Sequence, residues 1–410
     1  MKRILIVGQN FSTLTDYLSE KGYDYIVLKD INRTKFPDKK LKRRVVCDFS
    51  SRESILKVVH GITEPIDAVI ATYENYILPA SWIASDLGLP GISPASAEAC
   101  TDKFLMRSLF AEAPEPVSPD FAIVKNEETL RTFAASHEFP LMLKPANLAK
   151  SLLVTKNHNL DELLANYRRT MDQIVSVYQK YSPSRSPSLL VEEFLDGSTH
   201  SVDAFTGQDG EPHVLKQVID YETGFDIGFD DNFTYSRLLP SKLSKDDQAA
   251  LRHVAAVGIK ALGITSAPSH VEIIMTKKGP RIIEIGARNG GYRERMHGIA
   301  NGIDITGNAL NLTLGKPVEL RATRNDSCAT LELLPKTPGT FTGITNEDAL
   351  KDLPSLNYYS VKAMPGQYVG KAADGYKMCA IIILHNADKA QFDRDLQWVN
   401  DNVYAATVAD

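Results

Sequence analysis

Cysteine is scarce and scattered in this chain of 410 residues. The four cysteines, Cys47, Cys100, Cys328 and Cys379, show no C-x-x-C spacing. Structural zinc sites and redox pairs use such spacings, and four separated cysteines do not form a dense disulfide framework. We therefore expect neither disulfides nor a structural zinc site, and a reducing cytoplasm is the location that this composition fits best.

Long apolar runs are also missing. No window approaches the roughly 18 apolar residues that a helix needs to span a bilayer. After Met-Lys-Arg, the run ILIVG leads directly into the polar segment QNFSTLTD, which predicts a first β-strand rather than a signal peptide. A membrane is therefore not expected among the partners.

The chain has no strong excess of charge of either sign. Its formal net charge is −5, which gives no sign of nucleic acid or an anionic membrane as a partner. A hydrophobic fraction of 43% and a charged fraction of 24% are typical of globular proteins with large cores. A chain of this length predicts about two to four domains.

Two common catalytic signatures are absent. The first strand continues as ILIVGQN with Gly8 alone, so it lacks the G-x-G-x-x-G pattern of dinucleotide-binding oxidoreductases. No G-x-S-x-G pattern or suitably placed cysteine indicates a covalent nucleophile. The remaining interpretations are reactions that need no protein nucleophile.

What the chain does contain is an alternation of strand and helix patterns. KRILIVG, YDYIVLKD, RRVVCDF and IDAVIATYE read as strands, separated by helical patterns such as STLTDYLSEKG and ILPASWIASDLG. This predicts a parallel, doubly wound α/β unit that ends at the punctuation LPGISPAS. A helix is predicted from Thr101 to about Ala113, a turn or flexible segment at 182–188, and a strand-rich region with a final helix after about residue 320.

The most informative segment is a predicted hairpin. SHVEIIM and RIIEIGA are β-branched runs separated by TKKGP, and a three-residue loop with Gly279 in the left-handed position would pair Thr276 with Pro280. Counting back pairs Glu272 with Glu284. By alternation, the core face carries Val271, Ile273, Met275, Ile283 and Ile285, and the other face carries His270, Glu272, Glu284 and Gly286.

The predicted glutamate pair is an electrostatic problem. Opposed side chains in an antiparallel pair lie about 4.5–5.5 Å apart, and like charges there are destabilising. A shared proton or a bound cation would offset the repulsion, while two solvated surface glutamates are the alternative. Mg²⁺ is typically held by one or two carboxylates together with substrate phosphates. The segment ARNGGYRER follows, and Arg288 offers a planar fork for phosphate or carboxylate.

The pattern H-x-E followed by a strand ending E-x-x-A-R-x-x-G resembles the ATP-grasp superfamily, and the resemblance covers essentially the whole chain. It implies an α/β fold in which α+β grasp lobes follow a Rossmann-like domain. The implied boundaries are 1–95 for that first domain, 96–185 and 186–320 for the two lobes, and 321–410 for a C-terminal appendage.

The resemblance also implies a nucleotide site. TDKFLMRSLF and FPLMLKP imply Lys103 and Lys144 as phosphate ligands, and a lysine that ends an apolar strand is hard to explain as core. SLLVEEFLDGS resembles the interlobe hinge, where the backbone of Glu193 and Leu195 would contact adenine with Glu192 and Phe194 alongside. The implied cofactors are ATP and Mg²⁺, with Mn²⁺ as an alternative, and Glu272 and Glu284 as the metal ligands.

The sequence departs from the family pattern in three places. The glycine-rich phosphate loop is replaced by ANLAKSLLV, in which Lys150 and Ser151 are the candidate contacts. The acid that often holds the ribose would fall near Thr199. The asparagine commonly found two residues after the second metal glutamate is Gly286, which leaves Asn289 as a further candidate ligand.

The A-R pair and the double glycine resemble most the L-amino-acid ligases, which make dipeptides. This implies Arg288 as a residue that stabilises phosphates and the tetrahedral intermediate, and Gly291 and Tyr292 as substrate contacts. Glu74, at the C-terminal end of a strand, is a candidate substrate contact or a cap of the next segment. The expected reaction is formation of an amide from a carboxylate and an amine through an acyl phosphate.

Other functions stay open at this point. They are a purine-biosynthesis or carboxylase-type ATP-grasp enzyme that uses formate or bicarbonate, a dinucleotide-binding oxidoreductase, and a non-catalytic nucleotide-binding regulator. The expected partners are small-molecule substrates, with no nucleic acid, and a homodimer is kept open as the assembly.

Overall fold

The computed structural model of the protein describes residues 1–8, 12–31, 43–148, 152–181, 185–231 and 233–409. Its strands form four sheets with helices packed against them. The largest sheet has eight strands, and the predicted glutamate hairpin forms one of its edges.

The first sheet lies near the N-terminus and is parallel. Its elements are β1 (Arg3–Val7), α1 (Ser12–Glu20), β2 (Asp24–Asp30), β3 (Arg44–Cys47), α2 (Arg52–His60), β4 (Ala68–Ile70), a 3-10 helix (Glu74–Tyr76) and α3 (Ile77–Asp86). The strand order is β3-β2-β1-β4, and the parallel pairing confirms the prediction. Strands β1 and β2 are buried on both faces, as a sheet covered by helices on both sides requires.

Two short helices follow where one was predicted. They are α4 (Pro94–Thr101) and α5 (Lys103–Ala111). Helix α5 confirms the helix predicted from Thr101 to about Ala113, whereas α4 was not predicted. Helix α5 begins two residues later than predicted because Asp102 is extended, and its carboxylate accepts hydrogen bonds from the amides of Phe104 and Leu105. An N-cap of this kind begins a helix at the next residue. Lys103 is therefore the first residue of α5.

The second sheet is antiparallel and has the order β5-β8-β6-β7. Its strands are packed against two helices, and the longer of these, with 22 residues, was not anticipated from the sequence. The elements are β5 (Phe121–Ile123), α6 (Glu127–Ser136), β6 (Leu141–Pro145), β7 (Thr155–Asn157), α7 (Leu160–Tyr181) and β8 (Leu189–Glu193).

The eight-stranded sheet is the centre of the molecule. Its first part comprises β9 (Gly197–Thr206), β10 (Pro212–Thr223), a 3-10 helix (Phe225–Ile227), β11 (Thr234–Leu239), α8 (Lys245–Ala261), β12 (Ala267–Thr276), β13 (Gly279–Gly286), α9 (Arg293–Asn301) and α10 (Ile305–Thr313). Apolar residues of α5 and α8 pack on one face of β9, β12 and β13 in a single buried cluster. The opposite face carries the polar residues that build the site.

The C-terminal region adds strands to the same sheet. Its elements are β14 (Ser327–Leu333), β15 (Gly339–Ile344), α11 (Glu347–Lys351), β16 (Leu356–Val361), β17 (Tyr368–Val369), a 3-10 helix (Ala372–Asp374), β18 (Ala380–Asn386), α12 (Lys389–Asn402) and β19 (Ala405–Val408). The full order is β13-β12-β9-β10-β11-β14-β18-β16, and β17-β15-β19 form a separate small sheet. The domain boundaries expected from the sequence stay predictions. Strand β8, which follows the expected boundary at 185, pairs with β5 and β6 of the preceding lobe. Strand β14, which follows the expected boundary at 320, continues the sheet of β11.

The predicted pairing of Glu272 with Glu284 is confirmed, but the loop length from which it was counted was wrong. Thr276 pairs with Gly279 across a two-residue loop, not with Pro280, although Gly279 does have a positive φ of 97°. A bulge next to Ile283 then shifts the register by one residue and pairs Glu272 with Glu284. The same bulge places Ile282 in the core in place of the predicted Ile283.

All four cysteines are buried and free. This agrees with the expectation that the chain holds no disulfide. Among the helices that the structure describes, none is long and apolar enough to cross a membrane.

Candidate active site

Lys103 already provides a cation beside the paired glutamates. Its Nζ lies 3.0 Å from Oε2 of Glu284, which faces Glu272 across the hairpin. Burial acts to lower the pKa of Lys103, but Glu284 outweighs this effect and raises the pKa, so the ammonium stays charged. The repulsion expected between two opposed carboxylates is therefore offset in part by a lysine from α5.

A buried Asp–His pair positions Glu272. Asp203 and His270 are register partners on β9 and β12, and Oδ1 of Asp203 lies 2.8 Å from Nδ1 of His270. The other ring nitrogen, Nε2, lies 3.6 Å from Oε1 of Glu272. Burial acts to lower the pKa of His270, but Tyr221 and Asp203 raise it to about 10.

The charge of His270 keeps Glu272 ionised. Burial would raise the pKa of Glu272, but the nearby charge of His270, together with the charges of Arg288 and Arg237, holds this pKa at about 2. A carboxylate that stays ionised at neutral pH is the form that binds a hard cation. The histidine of H-x-E thus supports the glutamate two residues later.

Arg293 ties this network to α9. Its Nε lies 3.2 Å from Oδ2 of Asp203, and its Nη2 donates hydrogen bonds to the Tyr221 hydroxyl (2.6 Å) and the Ser201 hydroxyl (2.9 Å). Although burial acts in the opposite direction, His270 and Arg293 hold the pKa of Asp203 well below its usual range. Such a buried network of ion pairs and hydrogen bonds orients its members more rigidly than isolated pairs would.

Lys144 is the penultimate residue of β6, near the strand end where it was predicted, and it is buried. Its Nζ lies 2.5 Å from Oε2 of Glu192, whose Oε1 accepts from Nε of Arg107 at 3.0 Å. Burial, opposed by Glu192, lowers the pKa of Lys144 to about 8. Glu192, predicted to lie beside the nucleotide, has both carboxylate oxygens engaged by these cations.

The predicted hinge strand follows. The amide of Glu193 donates to the carbonyl of Asp120 at 3.1 Å, so only its carbonyl is left for a nucleotide. The amide of Leu195 has no acceptor within the described parts of the chain. Lys156 places its Nζ 3.7 Å from the ring centre of Phe194. Lys150 and Ser151, predicted to contact phosphate, lie outside the described residues.

Glu74 joins the N-terminal unit to the hairpin. Nε of Arg288 donates to its Oε2 at 2.7 Å, while its Oε1 is buried without a hydrogen-bond partner among the described residues. Burial, opposed by Arg288, raises the pKa of Glu74. A Cβ added at Gly286 would lie 3.0 Å from Oε2 of Glu74, so glycine there leaves room for this carboxylate. Glu74 thus occupies space that a side chain at 286 would take.

The turn after β13 brings together four residues that the sequence singled out. Nη1 of Arg288 donates to the carbonyl of Asn289 at 3.0 Å, and the Oδ1 of Asn289 is buried without a partner among the described residues. Gly291 and Tyr292 follow, and Tyr292 adopts a left-handed φ of 63° directly before α9. A non-glycine residue in this region is uncommon and is held there by its surroundings.

A cavity of about 1060 Å³ opens beside these residues. One wall comes from the end of β4 and from α3, and the opposite wall from the 287–292 turn and the eight-stranded sheet. Charged groups that line it include Glu74, Arg288, Arg237 and Glu332, and Tyr292 lines it as well. Its size suits small organic substrates.

Asp203, Arg107 and Arg237 were not singled out from the sequence. They contact predicted residues only through strand pairing or packing between distant segments, and no local spacing marks them. His270 was placed on the right face of the hairpin, but its hydrogen bond to Asp203 depends on β9, 67 residues earlier.

The donor set fits a magnesium ion shared with a nucleotide. Among the described residues, no group of three or more His, Cys, Asp or Glu could hold a metal alone. Two carboxylates face each other, and the ammonium of Lys103 lies beside one of them in the place of a cation. This arrangement matches an ion that takes its other ligands from phosphate and water.

Comparison with known proteins agrees with this geometry. Residues 137–295 match the family model described as an ATP-grasp domain. The chain therefore carries an ATP-grasp domain, and its fold is that of the ATP-grasp ligases.

Within that fold, one amino-acid ligase is structurally similar over the whole chain, whereas the sequence similarity to another covers 58% of it. The L-amino acid ligase from Bacillus licheniformis superposes with a TM-score of 0.82 at 19% identity, covering 100% of this chain and 99% of that one. The alanine–anticapsin ligase of Bacillus subtilis strain 168 is 28% identical over 58% of this chain and 52% of its own length. An uncharacterised protein of Sinorhizobium fredii, y4rH, is 24% identical over 77% of this chain and 63% of its own. The matches thus span about half to two thirds of the curated relatives.

Proposed function

We propose that this protein is an ATP-dependent ligase that joins the carboxylate of one amino acid to the amine of another. The observation that carries the proposal is the joining of Glu74 to Arg288 where the cavity meets the Glu272–Glu284 pair. A substrate carboxylate placed there would lie beside both phosphate-binding cations and the metal ligands.

Glu272 and Glu284 would hold Mg²⁺, which when bound neutralises phosphate charge. Lys103 and Lys144, as charged ends of α5 and β6, would contact the phosphates. Leu195 offers a free amide, and Glu193 a carbonyl, to the adenine edge, with Phe194 beside them. The closeness of Lys103 to Glu284 supports one shared site for metal and phosphate.

Two buried acceptors support an amino acid as the acyl donor. Oε1 of Glu74 and Oδ1 of Asn289 have no donor among the described residues, and both residues line the cavity. Buried acceptors without donors are costly unless a ligand supplies them. An α-ammonium group supplies N–H donors and positive charge, while Arg288 would bind the adjacent carboxylate.

The chemistry proceeds in two displacements. A carboxylate oxygen of the donor attacks the γ-phosphorus, the bond to the β-phosphate oxygen breaks, and ADP leaves. The neutral amine of the second substrate then attacks the acyl carbon, the carbon–oxygen bond to phosphate breaks, and the amine loses a proton. Arg288 would stabilise the charge that develops on oxygen in both steps, and such donors act mainly by being placed in advance.

The relatives support this direction. One is named as a ligase of alanine to anticapsin and another as an L-amino acid ligase. Tyr292, whose ring lines the cavity beside Gly291, would limit the size of the side chain that enters. The homodimer and the cytoplasmic location stay predictions.

The direct test measures phosphate release from ATP and Mg²⁺ over all pairs of standard amino acids, with mass spectrometry of the products. Release that requires both amino acids, together with an amide product, is expected. Release with bicarbonate or formate alone would favour the carboxylase-type alternative. Nucleotide binding without release for any pair would favour a regulator.

A further inference from the structure

Arg237 presents a guanidinium group to the cavity from a different part of the fold than Arg288 and Arg295, the other arginines that line it. It lies on β11, opposite Tyr221 in the register of β10, and it contacts the Tyr292 ring and Glu332 on β14. Lys103 and Lys144, by contrast, come from α5 and β6 and contact Glu284 and Glu192. The cavity therefore has a cation outside the cluster assigned to phosphate.

The guanidinium of Arg237 is held in place before any ligand arrives. Its central carbon lies 5.2 Å from the Tyr292 ring centre and 5.7 Å from that of Tyr221. Nη1 donates one hydrogen bond, to Oε1 of Glu332, at 3.2 Å. The side chain is only 15% exposed. Contacts with two aromatic rings restrict a planar cation and reduce the entropy lost on binding.

Most of the hydrogen-bonding capacity of this group is left over. A guanidinium has five N–H donors, and within the described ranges Glu332 is the one side chain that accepts from Arg237. The remaining N–H groups of Arg237 are not buried without a partner but are accessible at the cavity that this residue lines. A carboxylate offers two oxygens in the plane that the guanidinium fork matches, which a neutral amide or hydroxyl does not.

The position of Arg237 indicates which carboxylate this is. Arg237 and Arg288 both line the cavity, and the positive charges of both act to lower the pKa of Glu272, the proposed metal ligand. The donor's carboxylate has to meet the γ-phosphate, where Arg288, Lys103 and Lys144 gather. The carboxylate that remains is the one on the α-carbon of the attacking amine.

We propose that Arg237 binds the free carboxylate of the amine substrate and thereby selects amino acids over simple amines. This inference rests on the proposed ligase function. Glu332 keeps the buried guanidinium paired until the substrate arrives, because an unpaired buried charge is strongly destabilising.

The test compares L-alanine with L-alaninamide, and L-phenylalanine with L-phenylalaninamide, as amine substrates. The amides lack a carboxylate, so they react only as amines. With a donor found active in the pair screen, Arg237→Gln is expected to raise KM for the acids about 10- to 100-fold, the effect of losing a charge-assisted hydrogen bond. KM for the amides and for ATP should stay as in the unchanged protein.

Two further variants make the result decisive. Arg237→Gln with Glu332→Gln removes both buried charges and guards against misfolding; it should show the same acid-selective loss. Arg252→Gln, on α8 with its Nη1 bonded to the carbonyl of Lys216, should behave as the unchanged protein. An equal rise in KM for acids and amides in Arg237→Gln would overturn the inference, as would an unchanged protein that prefers amides. Either result would leave the proposed ligase function standing. Inactivity of the unchanged protein with every pair would overturn both.

Discussion

Glu284 contacts Lys103 and is one of the two proposed metal ligands. Its replacement in Glu284→Gln removes one of two metal carboxylates and leaves Lys103 without its anion. We expect phosphate release to fall on the order of 10²- to 10³-fold, the usual cost of losing one preorganised charge-stabilising group, and the Mg²⁺ requirement to rise. Thermal unfolding should confirm an intact fold.

Glu211→Gln is the matched control for this change. Glu211 pairs with Lys260 at 2.8 Å on the exposed surface, so its loss removes a carboxylate without touching the site. Full turnover by Glu284→Gln would remove the metal assignment.

The pH dependence of nucleotide binding follows from Lys144. Burial lowers the pKa of this lysine to about 8, so it loses its charge as pH rises through that value. We expect the affinity for Mg²⁺ and a non-hydrolysable ATP analogue, measured by calorimetry, to fall up to about tenfold per pH unit above this point. Lys144→Met should bind weakly at pH 7 and show no such step.

The effect of Lys144 on stability has the opposite sign. Its folded pKa lies below its ordinary value of 10.5, so the folded state binds fewer protons between these values. Unfolding takes up the proton, and the contribution of this residue to stability therefore rises as pH rises from about 8 to about 10.5. A pH profile in which binding and stability fell together would contradict this assignment.

At the level of elements, the turn between β13 and α9 contains two glycines with different constraints. A Cβ at Gly290 would lie 2.5 Å from Nδ1 of His270 and 2.8 Å from Cγ of Arg293, whereas a Cβ at Gly291 would meet nothing within 4 Å. We expect Gly290→Ala to lower the free energy of unfolding by about 1–3 kcal/mol, as overpacking does. Denaturant unfolding measures this change.

Gly291→Ala is the control in the same turn. It should unfold like the unchanged protein and act, if at all, on the KM of an amino-acid substrate. Equal destabilisation by the two substitutions would show that the turn is less tightly packed against His270 than the structure indicates.

The same hairpin shows which features of the site could be predicted from the sequence and which could not. Apolar alternation was enough to place Glu272 and Glu284 on the polar face of a hairpin, because a period of two determines sides. It could not reveal the bulge at Ile283, since an extra residue changes the register without changing the residue types. Asp203, which lies on β9, and Arg237, which lies on β11, depend on pairings between distant strands that local spacing does not encode.

At the scale of the whole molecule, the cavity exists because the N-terminal unit is docked on the large sheet. Leu310 of α10 belongs to the buried cluster formed with β1, β2 and β4. Polar contacts cross the same boundary as well; among them are Glu74 with Arg288, and the Tyr17 hydroxyl, which donates to Asp304 at 2.7 Å. One of these lies in the cavity wall next to the hairpin and the other on the surface.

Substitutions at these two contacts should distinguish a role in binding substrate from a role in holding the N-terminal unit on the large sheet. Glu74→Gln removes a charge expected to receive the donor's ammonium, and we expect KM for the donor to rise at least about tenfold with the affinity for ATP unchanged. Tyr17→Phe removes the surface contact and should leave both constants unchanged. Steady-state kinetics of the two variants, with thermal unfolding, checks this. Similar effects of both substitutions would assign Glu74 to docking alone.

Under the proposed function, the contact between Lys103 and Glu284 would make the site exchange one cation for another. A divalent ion that approaches Glu284 competes with an ammonium group already 3.0 Å away. The displaced ammonium needs another anion, and the phosphates of ATP provide one within reach of the same helix end. Metal and nucleotide should each bind more tightly in the presence of the other, since such coupling is reciprocal. The lysine therefore links two binding events that the sequence presents as separate motifs.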